Sequence, residues 1–176
     1  SISAFAKYIN DTSVTDQLRA IKHHNKERFA AKYNAVTGGS IDTHAIFDVQ
    51  VKRIHEYKRQ LLNVLKIVSL YDELLQNPDL DIKPQTFIFG GKAAPGYYFA
   101  KDIIKLIWSL GKEIDKNPKI REKIRVIYLE DYNVSTAEIL MPSTDISEQI
   151  SLAGKEASGT GCMKFMINGA LTLGTL

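Results

Sequence analysis

Short apolar strands alternate with amphipathic helices along this chain, and this alternation limits the fold more than any other feature. Residues 47–51 (FDVQV) alternate apolar and polar side chains, and 86–89 (TFIF) form an apolar run that ends at Gly90-Gly91. Further strands are predicted at 125–130 and 171–175. Strands that are separated by helices usually form a parallel sheet. We therefore predict an α/β fold: a doubly wound, mainly parallel Rossmann-like sheet with helices on both faces.

Two long helices are predicted between these strands. Residues 61–75 and 99–114 carry apolar side chains at the 3.6-residue period of a helix. Asn77-Pro78 ends the earlier one and Asn117-Pro118 ends the later one. Each of these helices thus connects two predicted strands, as a parallel sheet requires.

Three more helices are predicted outside this central pattern. Residues 15–33 have roughly helical spacing and lead into a loop at 38–40. Asp145, followed by Glu148, indicates the capped start of a short helix. Lys164 is predicted to lie in another.

Four segments with unusual side chains follow the predicted strands or open the helices. They are 51–53, 90–92, 131–133 and the loop at Gly159. In doubly wound sheets, ligands bind outside the carboxyl ends of the strands. We therefore expect these segments to converge on one crevice.

The run 156–166 (EASGTGCMKFM) reads as a glycine-containing loop that leads into a helix. Gly159 and Gly161 allow a close approach of the backbone to a ligand, and amides at a helix start bind anions. Lys164 lies one turn into the helix among Met163, Phe165 and Met166, and an ammonium in apolar surroundings loses its charge readily. Spacing alone also allows a turn followed by a surface lysine.

A second cluster, 52–59, contains four cations in eight residues at the opening of a helix. Cations are unfavourable at a helix N-terminus, so the cluster suits an anionic ligand, although a solvated basic face is the alternative. Arg53 is suited to bidentate phosphate binding and Lys58 to a point-charge contact. His55-Glu56 does not belong to a zinc-protease motif, because the second histidine of that motif would have to be at the position of Arg59.

Composition sets broad limits on function. The net charge is +3 without a basic stripe that is interleaved with aromatics, so no nucleic-acid partner is expected. One cysteine and four scattered histidines give neither a disulfide nor a metal framework. No apolar run is long enough to cross a membrane, and the first ten residues lack a signal-peptide pattern. We expect a cytoplasmic protein with no membrane partner and no metal.

Two long motifs carry a family resemblance. EASGTGCMKFMINGALTLGT, at 156–175, and FDVQVKRIHEYKRQLLN, at 47–63, resemble segments of the glycogen and starch (α-glucan) phosphorylases. The resemblance implies that 1–176 is part of the C-terminal, cofactor-binding domain of a two-domain glycosyltransferase-type enzyme, with 1–40 as a helical lead-in. Because the chain starts without methionine and stops in an apolar run, we also expect it to be a piece of a longer protein.

The resemblance also implies roles for individual residues. In that family the lysine at the position of Lys164 holds pyridoxal 5′-phosphate as a Schiff base. The implied cofactor-binding residues are Lys164, Lys52, Lys58, Tyr132, Asn133, Gly159, Thr160 and Gly161. The implied substrate-binding residues are Arg53, Tyr57, Glu156, Ala157, Ser158 and Gly159. Arg53, Lys58 and Lys164 are the implied catalytic group.

The implied reaction is reversible transfer of a terminal glucosyl unit from an α-1,4-glucan to inorganic phosphate, which gives glucose 1-phosphate. The resemblance implies a homodimeric parent enzyme, and we expect the 176-residue chain alone to be inactive. The alternatives are a non-catalytic phosphate- or phosphosugar-binding module and a nucleotide-sugar transferase of similar architecture. Cys162 departs from the motif, since the family normally has asparagine there.

Overall fold

A computed structural model describes residues 2–156 and 159–175, and its centre is a sheet of five parallel strands. The spatial order is β3-β2-β1-β4-β5, with β1 in the middle. The strands are β1 (Ile46–Val51), β2 (Gln85–Gly90), β3 (Ile124–Leu129), β4 (Ile146–Gln149) and β5 (Leu171–Gly174). This order matches five strands of the common doubly wound arrangement. The prediction of an α/β fold with a mainly parallel sheet is confirmed.

Six α-helices connect or precede these strands in the described residues. They are α1 (Thr12–Thr37), α2 (Gln60–Gln76), α3 (Tyr98–Asp115), α4 (Pro118–Arg121), α5 (Val134–Ser143) and α6 (Thr160–Ile167). Two 3₁₀ helices, Ile2–Tyr8 and Glu56–Lys58, precede α1 and α2. None of the helices in the described part of the chain is long and apolar enough to cross a membrane.

Alternate residues of the strands pack against different helices, which places helices on both faces of the sheet. Phe87 and Phe89 of β2 contact the core formed with α2, α3 and α4. Ile88, between them, contacts the core formed with α1, α5 and α6. β1, β2 and β3 are largely buried on both sides, as parallel strands in α/β proteins usually are, whereas β5 is exposed.

The ends of α1 follow from capping chemistry. Asp11 accepts hydrogen bonds from the backbone N–H groups of Ser13 and Val14 at the helix start. Gly38 ends the helix at φ 67°, a left-handed conformation that favours glycine. The helix predicted over 15–33 therefore exists and extends further at both ends.

The predicted helix start at Asp145 is wrong, because this segment forms β4. Ser147 pairs with Val49 of β1, and both Ser147 and Glu148 are buried. The Asp145 carboxylate accepts from Phe47 N–H at 2.8 Å instead of capping a helix. Pairing with β1 therefore overrides the local capping pattern. Helix α5 was also missed, since its sequence has little amphipathic pattern and contains Pro142.

Two carboxylates are buried together where β1 meets β4. The Asp48 and Glu148 side chains are almost fully buried, and Lys66 of α2 contacts both of them, at 3.0 and 2.6 Å. Burial, followed by repulsion from Glu148, raises the pKa of Asp48 to about 7. Lys66 offsets only part of this increase in pKa, so at neutral pH the negative charge of the cluster is unfavourable.

We expect Asp48→Asn to stabilise the protein by about 1–3 kcal/mol at pH 8. The native pKa of Asp48 lies above its ordinary value of 3.8, so the native state binds the proton more tightly than the unfolded state. The free energy of unfolding should therefore fall as pH rises from about 4 to about 7. Asparagine removes the charge and can still donate to Glu148. Urea unfolding at several pH values measures the effect.

The matched control is Asp79→Asn, which changes an exposed carboxylate in the turn after α2. This variant should keep the pH dependence of the unmodified chain. Equal pH profiles for Asp48→Asn and Asp79→Asn would show that the buried carboxylate is not the source of the dependence.

Candidate active site

A cavity of about 560 Å³ opens at the carboxyl ends of β1 and β4. This is the point where the order of the strands in the sheet reverses direction, since β2 lies on one side of β1 and β4 on the other. Its polar and small lining residues include Lys52, Lys58, Gln149, Ser151, Glu156, Gly159, Gly161 and Cys162. The predicted convergence is confirmed for the segments that contain Lys52 and Gly159. We call this space the β1–β4 cavity.

Lys52 is held at the wall of the β1–β4 cavity by a short chain of polar groups. Its Nζ donates to Gln149 Oε1 at 2.9 Å, and Gln149 Nε2 donates to the buried Ser147 Oγ at 2.8 Å. The second bond fixes the orientation of the amide, so its oxygen points to the lysine. Burial lowers the pKa of Lys52, although Glu156 opposes this effect.

Lys58 forms an ion pair with Glu156 at 2.7 Å, in a half-buried position. Ser151 Oγ donates to the same carboxylate oxygen, also at 2.7 Å. Burial disfavours the charged lysine, but the hydrogen bonds and charges of Glu156 and Tyr57 together outweigh it and raise the pKa of Lys58. Burial likewise opposes ionisation of Glu156, while its bonds from Lys58 and Ser151 lower its pKa. The pair is charged at neutral pH.

The four cations of 52–59 have separate positions. Only Lys52 and Lys58 line the β1–β4 cavity. Arg59 adopts a left-handed backbone conformation (φ 58°) and donates to the carbonyl groups of Ile150 and Ser151, which anchors the end of β4. The Arg53 side chain is exposed and makes no ion pair with the described residues. The four cations therefore form neither a single solvated basic face nor a single anion site.

Gly91 sets the path of the backbone beside Lys52. Its φ is 151°, and a Cβ at this position would lie 1.9 Å from the Lys52 carbonyl oxygen. No other residue fits this contact. Gly91 therefore has a structural role in this turn, and the neighbouring Lys92 pairs with Asp131 at 3.2 Å.

Helix α6 begins at the β1–β4 cavity. Gly159 precedes it in a left-handed conformation (φ 49°), and Gly159 and Gly161 both line the cavity. Lys164 lies one turn into α6, as predicted, but its side chain is exposed and is not part of the cavity lining. The expected apolar surroundings are therefore absent in the described structure, and Met163 and Met166 beside it are also more than half exposed.

The remaining predicted site residues lie around this centre. Tyr132 packs against the core under α1 and α5, and burial raises its pKa to about 12. Asn133 caps α5 by accepting from Thr136 N–H at 3.1 Å. The Tyr57 ring stands 4.6 Å from that of His55, centroid to centroid. None of these three side chains lines the β1–β4 cavity.

Thr160 is the exposed first residue of α6. Ala157 and Ser158 lie outside the described residues. Their implied substrate contacts stay predictions.

Sequence reasoning missed the polar residues that β4 contributes. Gln149 and Ser151 line the β1–β4 cavity, and Ser147 orients Gln149. The two buried residues of β4 are Ser147 and Glu148, which are both polar. The sequence of β4 therefore shows no apolar pattern that would indicate a strand. A helix beginning at Asp145, as predicted, would not direct these side chains to the cavity.

Comparison with known proteins gives the family. The sequence pattern of the carbohydrate phosphorylases matches residues 1–176. The chain belongs to the carbohydrate phosphorylase family. It is 50% identical over 169 residues to the muscle form of glycogen phosphorylase from Oryctolagus cuniculus. It is also 50% identical over 175 residues to glycogen phosphorylase from Bacillus subtilis (strain 168), and 46% identical over 175 residues to that from Chlamydia pneumoniae.

The chain spans about a fifth of the length of these relatives. The alignments cover 96% of the chain but 20% of the rabbit phosphorylase, and 99% of the chain but 22% of the Bacillus enzyme. The Chlamydia alignment likewise covers 99% of the chain and 21% of that protein. The family resemblance that the two motifs carry is confirmed over nearly the whole chain.

The ion pair in the β1–β4 cavity can be tested directly. We expect Lys58→Met to raise the pKa of Glu156, because it removes the hydrogen bond and the charge that favour the carboxylate. Ser151→Ala should raise it less. Carboxyl ¹³C NMR titration of Glu156 measures both changes, and Lys155→Met, at an exposed neighbouring position, is the control. An unchanged Glu156 titration in Lys58→Met would rule out the pair.

Proposed function

We propose that this phosphorylase-family chain is the cofactor- and phosphate-binding part of an enzyme that carries out phosphorolysis of α-1,4-glucan to glucose 1-phosphate. One observation carries the proposal: Lys52, Lys58 and the glycine-rich start of α6 face one cavity at the switch point of the sheet. This is where doubly wound sheets bind ligands. Two lysines and free helix-start amides are suited to anions that carry more than one charge.

The same donor set fits pyridoxal phosphate. Lys52 and Lys58 would hold its phosphate, with the amides that follow Gly159, and Lys164 would anchor it covalently. The Lys164 ammonium has no hydrogen bond or ion pair with the described residues, so it is available for this role. When bound, the group would supply a phosphate close to the substrate phosphate for proton transfer. Lys58 would then offset the repulsion between the two phosphates.

Arg53 would bind the substrate phosphate. Its exposed guanidinium is free of carboxylates in the described structure, which leaves its bidentate donors available. Glu156 and Tyr57 would contact the glucosyl unit, together with 157–159. Since Glu156 now pairs with Lys58, a bound phosphate would have to take over that lysine and release the carboxylate.

Anchoring at Lys164 makes a specific prediction. Incubation with pyridoxal phosphate, borohydride reduction and peptide mapping should place the label on Lys164, and Lys164→Arg should remove it. Lys155→Arg is the matched control, because Lys155 is also exposed and lies in the loop that borders the same cavity. Labelling that persists in Lys164→Arg and maps to Lys52 would reject the assignment, since burial lowers the pKa of the Lys52 amine and makes it a competing nucleophile.

We expect the 176-residue chain alone to produce no glucose 1-phosphate from glucan and phosphate. It corresponds to about a fifth of its relatives' length, and the family resemblance implies a glucan site between two domains, of which this chain holds part of one. A longer protein that contains this segment should be active, and Lys58→Met in it should reduce kcat/KM by at least about 100-fold, the order seen when one stabilising donor is lost. Activity of the isolated chain would contradict the two-domain requirement.

A non-catalytic phosphate-binding module is the second candidate. The exposure of Lys164 favours it, because nothing in the described structure encloses that amine. Phosphate binding without pyridoxal labelling of the longer protein would support this candidate over the enzyme. The cytoplasmic location and the homodimer that the family resemblance implies stay predictions.

A further inference from the structure

A second cavity, of about 410 Å³, lies along β3 at the edge of the sheet. Helix α1 forms one wall and α3 the other, and no residue is shared with the β1–β4 cavity. Its volume lies within the range of small-molecule sites. We call it the β3 cavity. Of the predicted cofactor and substrate residues that the structure describes, none lines it.

Arg125 of β3 gives this cavity a cation that lacks a full partner. The side chain is only 13% exposed, and its buried Nε makes no hydrogen bond to any described residue. The nearest carboxylate oxygen, Asp115 Oδ1, is 3.9 Å away and lies closer, at 3.4 Å, to Nε of Arg121. One carboxylate is thus shared between two guanidinium groups, and buried donors normally have an acceptor.

Further cations and two aromatic rings surround Arg125. Lys32 and Tyr33 of α1 line the cavity, as do Trp108 and Lys112 of α3. The Trp108 ring is more than half exposed, and Lys112 Nζ stands 5.5 Å from its centroid. Burial raises the pKa of Tyr33, so its hydroxyl is neutral and can donate at neutral pH.

The charge balance of the lining favours an anion. Three cations, Lys32, Lys112 and Arg125, face two carboxylates, Asp115 and Glu130. Asp115 is already engaged by Arg121, which leaves a positive surplus around Arg125. An arginine that lacks an acceptor is suited to a carboxylate, and an exposed tryptophan ring near a partly buried tyrosine ring is suited to a flat apolar body.

We propose that the β3 cavity is a binding site for a small planar aromatic carboxylate. Its carboxylate pairs with Arg125 and with Lys32 at the rim, and its ring packs between Trp108 and Tyr33. The site is separate from the β1–β4 cavity and does not depend on the proposed phosphorolysis.

The test compares two probes of nearly the same shape, 2-naphthoate and the neutral 2-naphthamide. Trp108 is the only tryptophan of the chain, so its indole N–H signal in NMR reports binding at this cavity. We expect 2-naphthoate to shift this signal and to bind at least tenfold more tightly than 2-naphthamide in calorimetry. Equal affinities, or no binding of either probe, would overturn the proposal.

Substitutions test which positive charge is responsible for the preference for 2-naphthoate. Arg125→Met should abolish the preference for 2-naphthoate, and the exposed Lys32→Met, which leaves the core intact, should weaken its binding several-fold. Arg19→Met, an exposed change elsewhere on α1, is the control and should have no effect. Arg125→Met can also affect folding, so Lys32→Met is measured beside it. The assignment is refuted if Lys32→Met leaves the 2-naphthoate affinity unchanged and a folded Arg125→Met protein still prefers 2-naphthoate.

Discussion

The parallel pairing of β1 with both β2 and β4 is the constraint on which the rest of this structure depends. Because β1 is central, its neighbours are reached by connections that leave in opposite directions, and a crevice opens where they part. The β1–β4 cavity occupies that crevice. Gly91 permits the close backbone approach that keeps Lys52 at its edge. The position of the site is therefore a consequence of strand order.

The same pairing explains why polar groups are buried beside the site. The carboxylates of Asp48 in β1 and Glu148 in β4 both contact Lys66, which offsets only part of their repulsion. Ser147 and Gln149, on either side of Glu148 in β4, have a different role, since they orient the amine of Lys52. One short polar strand thus contributes both an unfavourable charge cluster and a positioning chain. Active-site regions commonly combine the two.

The two cavities differ in how far their charges are already balanced. In the β1–β4 cavity Lys58 has Glu156 as an internal partner, so an incoming anion must compete with a carboxylate. In the β3 cavity, Nε of Arg125 has no such partner at hydrogen-bond distance among the described residues. Under the proposed function, this competition would make the pairing of Lys58 depend on whether phosphate is bound. It also gives Glu156 a position that ligand binding would change.

Sequence by itself determined the fold class, four of the five strands, the long helices and the family, because apolar periodicity and long motifs are local properties of the chain. It also indicated that 51–53 and the loop at Gly159 would meet. Only the tertiary structure decided that Asp145 precedes a strand, that Arg59 anchors β4 and that Arg53 and Lys164 are exposed. These outcomes depend on which backbone lies alongside each residue. Neighbouring cations in a sequence carry no information about which of them will face the same cavity.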